Sequence, residues 1–370
     1  MNLKVEKLFV TFHDRRVGTL TMNEDDTRCV FEYDDSWLAN GFSISPRELP
    51  LKPGMFVAKE RPFYGNFGIF EDSLPDDYGR YLLNRMLKKQ GIDEFSLNPI
   101  QRLSIVGSSG MGALCYEPEC MVGENKLLPE FDVLQQMALD VLSEKTDENE
   151  EVLYFNSGNS GGCRPKCIYH DEDGSWIVKF RHTYDPKNMG QMEFHYNELA
   201  RKCGIVVTDF KLIDDKYFAC KRFDLDEKGE RLHIATAAAL LNESINVPTL
   251  DYKTLLSLTG YLTQDPKQVE EMFRRMVFNV LFENKDDHAK NFTFICHGKT
   301  WSLSPAYDLT YSPQGYHGEH ATSVCGNGNP TTEDMLIAAE SIRIPRSRAK
   351  EIIDRISELR EDDKGKYFIF

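Results

Sequence analysis

The sequence predicts an α+β protein of more than one part, and three observations carry that expectation. Residues 3–33 read as strands, with Leu8, Val10 and Phe12 and then Val30, Phe31 and Tyr33 as their apolar positions. Asp77–Lys89 and Phe131–Leu142 place apolar residues at helical spacing, and an apolar helix starting at Asp265 runs directly into a hairpin pattern. At 370 residues the chain exceeds the roughly 100–200 of a usual domain. Its 41 % hydrophobic content, including 23 Phe and 16 Tyr, is ample for packed cores.

The opening strands break at His13-Asp14-Arg15 and Asn23-Glu24-Asp25-Asp26, which predicts an antiparallel start. A Pro/Gly-rich stretch over 46–75 leads into Asp77–Lys89, where Tyr81, Leu82, Met86 and Leu87 share one helix face. Val106–Leu114 contains Gly107, Gly110 and Gly112, but not in GxGxxG order, and Ala113-Leu114-Cys115-Tyr116 then reads as a strand. A tight turn is therefore expected there rather than a phosphate loop. Composition shifts near residue 125, which sets the first domain boundary, and the acidic run Glu144–Glu151 separates the Phe131–Leu142 helix from the next apolar segment.

The formal net charge is −15, from 44 Lys+Arg against 59 Asp+Glu. Neither the first 125 residues nor the remainder is basic, so the field opposes unaided DNA or RNA binding, and any such role needs a basic partner. The nine cysteines are scattered, odd in number and without a CxxC pair, which predicts reduced, buried thiols rather than a disulfide framework or a zinc site. His317, Glu319 and His320 have the chemistry of metal ligands but lie in a Gly/Asn/Pro-rich segment without Cys, so a solvated loop is expected. No stretch approaches the roughly 18 apolar residues of a membrane span, and the N-terminus lacks a signal-type apolar core. A cytoplasmic protein without membrane contact is the expectation.

Past Tyr154 the residues begin to carry chemistry. A glycine-rich segment (Ser157, Gly158, Asn159, Ser160, Gly161, Gly162) opens into a strand bearing Lys166. After a turn at Asp171–Gly174, the strand Trp176–Phe180 carries Lys179. Small residues let backbone N–H groups approach phosphate oxygens, and a strand lysine can neutralise their charge. Met192–Gly204 reads as a helix ending at a glycine cap, with Glu193 and Glu198 both available to orient such a lysine. Tyr217–Leu225 reads as a buried strand whose polar exit is suited to meeting an adenine, with Asp224 near the ribose.

The most specific signal lies at 265–310. Asp265 and Pro266 form an N-cap and N1 pair, and Val269, Met272, Phe273, Met276, Val277, Val280 and Leu281 keep the spacing of a buried helix. The helix delivers Asp286-Asp287-His288-Ala289-Lys290-Asn291; a hairpin over Phe292–Leu303 then delivers Pro305-Ala306-Tyr307-Asp308-Leu309. Helix, Asp-x-x-x-x-Asn loop, hairpin and second Asp form the catalytic scheme of protein kinases. In that scheme an Asp accepts the hydroxyl proton of the acceptor while the Asn and the later Asp hold Mg²⁺. Magnesium wants hard oxygen donors, which Asn291 and Asp308 supply. Chemistry alone does not separate Asp286 from Asp287 as the base; the spacing to Asn291 favours Asp286.

At these residues the chain resembles the HipA family of bacterial serine/threonine kinases, the toxin halves of toxin–antitoxin modules. The resemblance spans nearly the whole length, through the 286–292 and 305–309 motifs, Gly161–Lys166, Arg222-Phe223-Asp224, and, near the start, Phe31–Asp34, Leu74–Arg80 and Gly112–Leu114. It implies a bilobal protein-kinase-like fold with a small N-terminal α+β subdomain, divided as 1–125, a kinase N-lobe over 126–225 and a helical C-lobe over 226–370.

The resemblance also implies ATP and Mg²⁺ as cofactors, with Asp286 as base, Asn291 and Asp308 on the metal, and Lys179 on phosphates. Ser160, Gly161, Gly162, Cys163, Arg164, Pro165 and Lys166 would cover the phosphates, Lys221, Arg222 and Phe223 would form the adenine hinge, and Asp224, His288, Lys290 and Tyr307 would line the nucleotide. Glu193 sits where the family's helix Glu falls. Some relatives are silenced by phosphorylation of a loop serine; that position is Asn159 here, flanked by Ser157 and Ser160. Asp287, where some members have a small residue, could raise a neighbour's pKa or help bind metal. The implied partners are a small helix-turn-helix antitoxin of HipB type, through which alone DNA would be reached, and a protein substrate such as an aminoacyl-tRNA synthetase. A catalytically weak nucleotide-binding co-repressor and a small-molecule kinase are the alternatives. The basic run Arg343–Lys350 is expected to be an ordinary helix face.

Overall fold

The structure is a computed structural model and describes residues 4–123, 127–146, 148–157 and 162–363. The chain forms two compact units. The first comprises Met1–Met189, Tyr217–Ala235 and Ala239–Asn242; the second comprises Gly190–Lys216, Thr236–Ala238 and Glu243–Phe370.

The first unit opens with the expected antiparallel strands β1 (Lys7–Phe12), β2 (Arg15–Met22) and β3 (Cys29–Tyr33). With β4 (Met55–Val57) and β5 (Leu114–Glu117) they make a sheet of order β4-β3-β2-β1-β5, antiparallel at every pairing. Leu8, Val10, Leu20 and Phe31 are buried on one face, as strand alternation requires, and Val17, at the register irregularity, is buried too. The strand at Leu114 confirms that the glycines before it form a turn. Helix Asp77–Lys89 has the predicted bounds, but its buried face is Tyr78, Leu82, Leu83, Met86 and Leu87; Tyr81 is half-buried.

Phe131–Leu142 is a helix as expected. The acidic run after it does more than separate segments: Glu150 begins a second helix, Glu150–Ser157, and is 1 % exposed. Arg85 Nε and Lys89 Nζ each lie 2.8 Å from its carboxylate. Two cations one helical turn apart on Asp77–Lys89 thus allow this acid to be buried. Next come β6 (Lys166–Asp171) and β7 (Gly174–Lys179), antiparallel with Lys166 opposite Lys179. The tight connection needs Gly174, whose φ of +131° lies where side chains are disfavoured.

In the second unit, helix Met189–Lys202 starts three residues earlier than expected and stops before Gly204, at φ +78°. Strand β8 (Phe210–Ile213) follows; β9 (Tyr217–Lys221) returns to the first unit, antiparallel to β7. After β10 (His233–Thr236) come helices Tyr252–Thr263 and Pro266–Leu281, the hairpin β11 (Thr293–His297) and β12 (Thr300–Leu303), and helices Thr332–Ser341 and Arg346–Asp363. The run Arg343–Lys350 is an ion-paired helix face: Arg346 meets Glu333 and Glu340, and Arg348 meets Glu270 and Glu351. All nine cysteines are free; Cys29, Cys167, Cys203 and Cys296 are buried while Cys163 is exposed. Among the described residues, no helix is long and apolar enough to cross a membrane, and no group of three or more His, Cys, Asp and Glu could hold a metal.

Candidate active site

The Pro266–Leu281 helix is the platform. The Asp265 side chain caps it by accepting from Lys267 N at 2.9 Å, and Met272, Phe273, Met276 and Val277 are fully buried. Beyond its C-cap at Phe282, Glu283 adopts φ +57° and turns the chain toward the polar motif. Asp286 is exposed there, and Ala289–Asn291 make a single 3-10 turn. Asn291 Nδ2 donates to the Asp286 carbonyl at 2.8 Å, closing the loop on itself. That orientation turns the amide oxygen of Asn291 away from the contact, where it is suited to a hard cation.

The second motif is held against the first by Tyr307. Its hydroxyl donates to the Lys290 carbonyl at 2.5 Å and lies 2.6 Å from Thr293 Oγ1. Ser304 N donates to Thr293 O, and Ala306 N to Val206 O. Asp308 is thereby presented with φ +53°, in the left-handed region where a residue other than glycine is uncommon and where such backbone clusters at functional sites. Tyr307 and Lys290 thus act in the scaffold of the site, Tyr307 by its side chain and Lys290 by its carbonyl. The His288 ring has Nδ1 buried without a hydrogen-bond partner.

A buried ion pair fixes this presentation, and the sequence reading passed over it. Glu271 Oε1 accepts from Val206 N at 3.0 Å and from Arg275 Nε at 3.1 Å, and Arg275 Nη2 donates to Ser304 O at 2.7 Å. Burial lowers the Arg275 pKa against the pull of Glu271. The i,i+4 spacing was the available signal, but on a helix it usually means a surface pair.

Asp287 turns inward, and His320 is not in a solvated loop. Asp287 is fully buried; its carboxylate accepts from Tyr252 Oη at 2.8 Å and Thr322 N at 3.2 Å and lies 3.0 Å from His320 Nδ1. His320 is 6 % exposed. Of the two helix glutamates, Glu193 is buried and Glu198 is 45 % exposed.

In the first unit, Lys166 is buried and Lys179 half-buried, with its Nζ 5.7 Å from the Phe218 ring centroid. Ser160 and Gly161, with Gly158 and Asn159, lie outside the described residues. Gly162, at φ +106°, donates its N–H to Asp76 Oδ2 at 3.2 Å, and Cys163 is exposed. Pro165 O accepts from Phe180 N. The guanidinium of Arg164 is engaged by Asp185 in a two-bond fork at 2.8 and 3.1 Å. Ser157 is 2 % exposed and donates to Tyr154 O.

At the expected adenine hinge the strand exit is tied into the sheet. Arg222 N donates to Ser175 O at 2.9 Å, which continues the sheet ladder and removes that N–H from any ligand. The Arg222 guanidinium forks onto Asp224 at 2.9 and 2.7 Å, and Gly112 N donates to the same carboxylate at 2.9 Å. Burial alone would raise the Asp224 carboxyl, but Arg222 and the Gly112 N–H outweigh it and hold it below the ordinary value. At 0 % exposure Asp224 has no oxygen for a ribose; it clamps the strand exit. Lys221 extends over β7, its Nζ 6.0 Å from the Trp176 centroid, and Phe223 is half-buried.

A buried helix presenting an Asp-to-Asn loop, a hairpin delivering a second aspartate, and an antiparallel pair carrying lysines together define a protein-kinase-like fold. Residues 158–362 match the sequence model of the HipA-like C-terminal domain, and residues 8–117 that of the HipA N-terminal domain. The chain belongs to the HipA family. It is 25 % identical over 349 residues to "Putative kinase Y4dM" of Sinorhizobium fredii, covering 87 % of this chain and 81 % of that one. It is 22 % identical over 335 residues to the serine/threonine-protein kinase toxin HipA of Shewanella oneidensis, covering 80 % and 73 %. Among solved structures, it is similar to the Shewanella oneidensis complex of HipA, HipB and operator DNA, with TM-score 0.72 and 18 % identity over 97 % of this chain and 90 % of that one. At that identity the likeness shows the fold.

Proposed function

We propose that this protein is an ATP- and Mg²⁺-dependent protein serine/threonine kinase acting as the toxin of a toxin–antitoxin module. One observation carries the reading: Tyr307 ties the Asp286–Asn291 loop to the Asp308 loop, so that one exposed carboxylate, one amide oxygen and one left-handed aspartate belong to a single scaffold. Asp286 accepts the proton of the acceptor hydroxyl as the γ-phosphoryl is transferred. Asn291 and Asp308 are the oxygen donors for Mg²⁺, which when bound offsets charge on the phosphates. Lys179, its Nζ 5.7 Å from the Phe218 ring centroid, is the phosphate contact of the first unit, with Lys166 opposite it on β6. Ser160–Cys163 are kept as backbone contacts to phosphate and His288 as a nucleotide contact, whereas Arg164, Arg222 and Asp224 are assigned to structure.

The domain division keeps the leading subdomain ahead of about residue 125 and the kinase lobes after it, and the protein is cytoplasmic. The partner is a helix-turn-helix antitoxin of HipB type, which supplies the DNA contact this acidic chain lacks, and the substrate is a cellular protein. Purified protein given labelled Mg-ATP and a cell lysate should label a protein band. Asp286→Asn and Asp308→Asn should each reduce that labelling by about a thousandfold or more while leaving the melting curve in place. Equal growth arrest by wild type and Asp286→Asn would instead favour a nucleotide-binding co-repressor.

A further inference from the structure

The second aspartate of the motif, Asp287, is fully buried and bonded on both carboxylate oxygens. Three donors converge on its carboxylate: the Tyr252 hydroxyl, the Thr322 backbone N–H and the His320 ring. A carboxylate is acceptor-only, so three donors select Asp over Asn, whose amide would turn N–H toward at least one of them. Each donor is itself held. Tyr252 Oη accepts from Asn279 Nδ2 at 2.9 Å, and Asn279 Oδ1 accepts from Asn284 Nδ2 at 3.0 Å, which runs the chain of bonds back into the Pro266–Leu281 helix. Burial, with Asp287 beside it, raises the Tyr252 pKa far above its ordinary value, so the hydroxyl stays a donor.

The strand of loop carrying His320 and Thr322 is fixed by Asp251. Its Oδ2 accepts from Ser323 Oγ at 2.8 Å and from Gly326 N at 2.7 Å, while Tyr252 N donates to Ser323 O. The backbone of the motif is gripped as well: Thr322 Oγ1 donates to the Asp287 carbonyl, and Asn291 Nδ2 to the Asp286 carbonyl.

We infer that Asp287 is a positioning residue: its buried carboxylate, gripped by Tyr252, His320 and Thr322, fixes the backbone from which Asp286 is presented. The geometry stands by itself; its effect on rate rests on the phosphotransfer reading above. Displacing a reacting group by about 1 Å can cost about a hundredfold in rate without touching substrate affinity. A clamp on the backbone that presents Asp286 therefore acts chiefly on kcat.

The test uses the full chain and the variants Tyr252→Phe, Asp287→Asn and their double. γ-Phosphoryl transfer from Mg-ATP to lysate protein is followed across ATP concentrations, beside melting curves and hydrogen exchange of residues 284–292. Tyr252→Phe, which keeps the ring, should lower kcat about tenfold with KM for ATP within about twofold, and Asp287→Asn about a hundredfold. Because both act through one contact, the double variant should be no slower than Asp287→Asn alone. Exchange at 284–292 should quicken in Tyr252→Phe ahead of the surrounding helices. Unchanged kcat per folded molecule in Tyr252→Phe, with only a lower melting point, would show a merely structural tie and overturn the inference. Wild-type protein that transfers no phosphoryl, while 284–292 still loosens selectively in Tyr252→Phe, would sink the kinase reading and leave the clamp. Unaltered exchange at 284–292 would refute the clamp whatever the activity.

Discussion

Replacing Glu271 by Gln isolates the ion pair that holds the Asp308 loop. Arg275 is 3 % exposed, and Glu271 is its partner on the same helix, with Val206 N sharing the carboxylate oxygen. The change keeps shape and one acceptor but leaves a buried guanidinium without its counter-charge, a loss of about 3–5 kcal/mol when a buried pair is broken. The conservative substitution puts the expectation near the lower end, about 3 kcal/mol. Adding Arg275→Met to Glu271→Gln removes the stranded charge, keeps the Gln oxygen for Val206 N and leaves chiefly the Ser304 carbonyl unmet, at about 1–3 kcal/mol. The double variant should therefore be no less stable than Glu271→Gln.

By contrast, Arg274→Ala removes a cation that reaches water, at 19 % side-chain exposure, and should cost no more than about 1 kcal/mol. Native-state hydrogen exchange on the amides of 266–281 reads the local free energy directly, and 3 kcal/mol corresponds to exchange faster by about two orders of magnitude. Exchange in Glu271→Gln within about fivefold of wild type, or a double variant weaker than the single, would refute the reasoning.

Two further outcomes can be checked on the folded protein. Burial depresses His233 to about 4, and its Nε2 lies 2.8 Å from Ile44 O, so the folded state holds this ring neutral while the unfolded chain takes up a proton below about 6.5. Its contribution is complete above pH 6.5 and falls as pH drops toward 4, by about 3 kcal/mol in all; denaturant midpoints of His233→Gln should lack that slope across the window. Asp265→Ala removes the cap on Lys267 N and should lower stability by about 1 kcal/mol, read from the same 266–281 amides.

What was legible in the sequence was whatever local pattern decides. The bounds of Asp77–Lys89 and Phe131–Leu142, the Asp265-Pro266 start and the 293–303 hairpin all follow from capping and periodicity. The layout of a buried helix followed by the Asp286–Asn291 loop was legible for the same reason, since it is a contiguous feature. What could not be read was which polar residues fold inward. Glu150 and Asp185 look like ordinary surface acids, and Asp224 and Asp287 like ligand-facing groups, yet all four are buried, Glu150 by Arg85, Asp185 by Arg164 and Asp287 by Tyr252 and His320, partners distant in sequence. Asp224 is the instructive exception, since its guanidinium lies only two residues away, yet the Gly112 N–H that completes its site lies 112 residues away. Fold class depends on pattern, whereas the reach of a side chain depends on what the rest of the chain brings beside it.

The left-handed backbone at Asp308 restricts which substitutions the chain can tolerate there. At φ +53° glycine, asparagine and aspartate are the residues accommodated with least strain. Of these, glycine offers no oxygen and asparagine no charge, so the backbone's own short menu contains a single anionic donor. Glutamate, the usual stand-in elsewhere, is disfavoured by the turn before any question of metal arises. Folding thus narrows this position to three residues, and of those only aspartate carries the anionic oxygen that the proposed metal site would use.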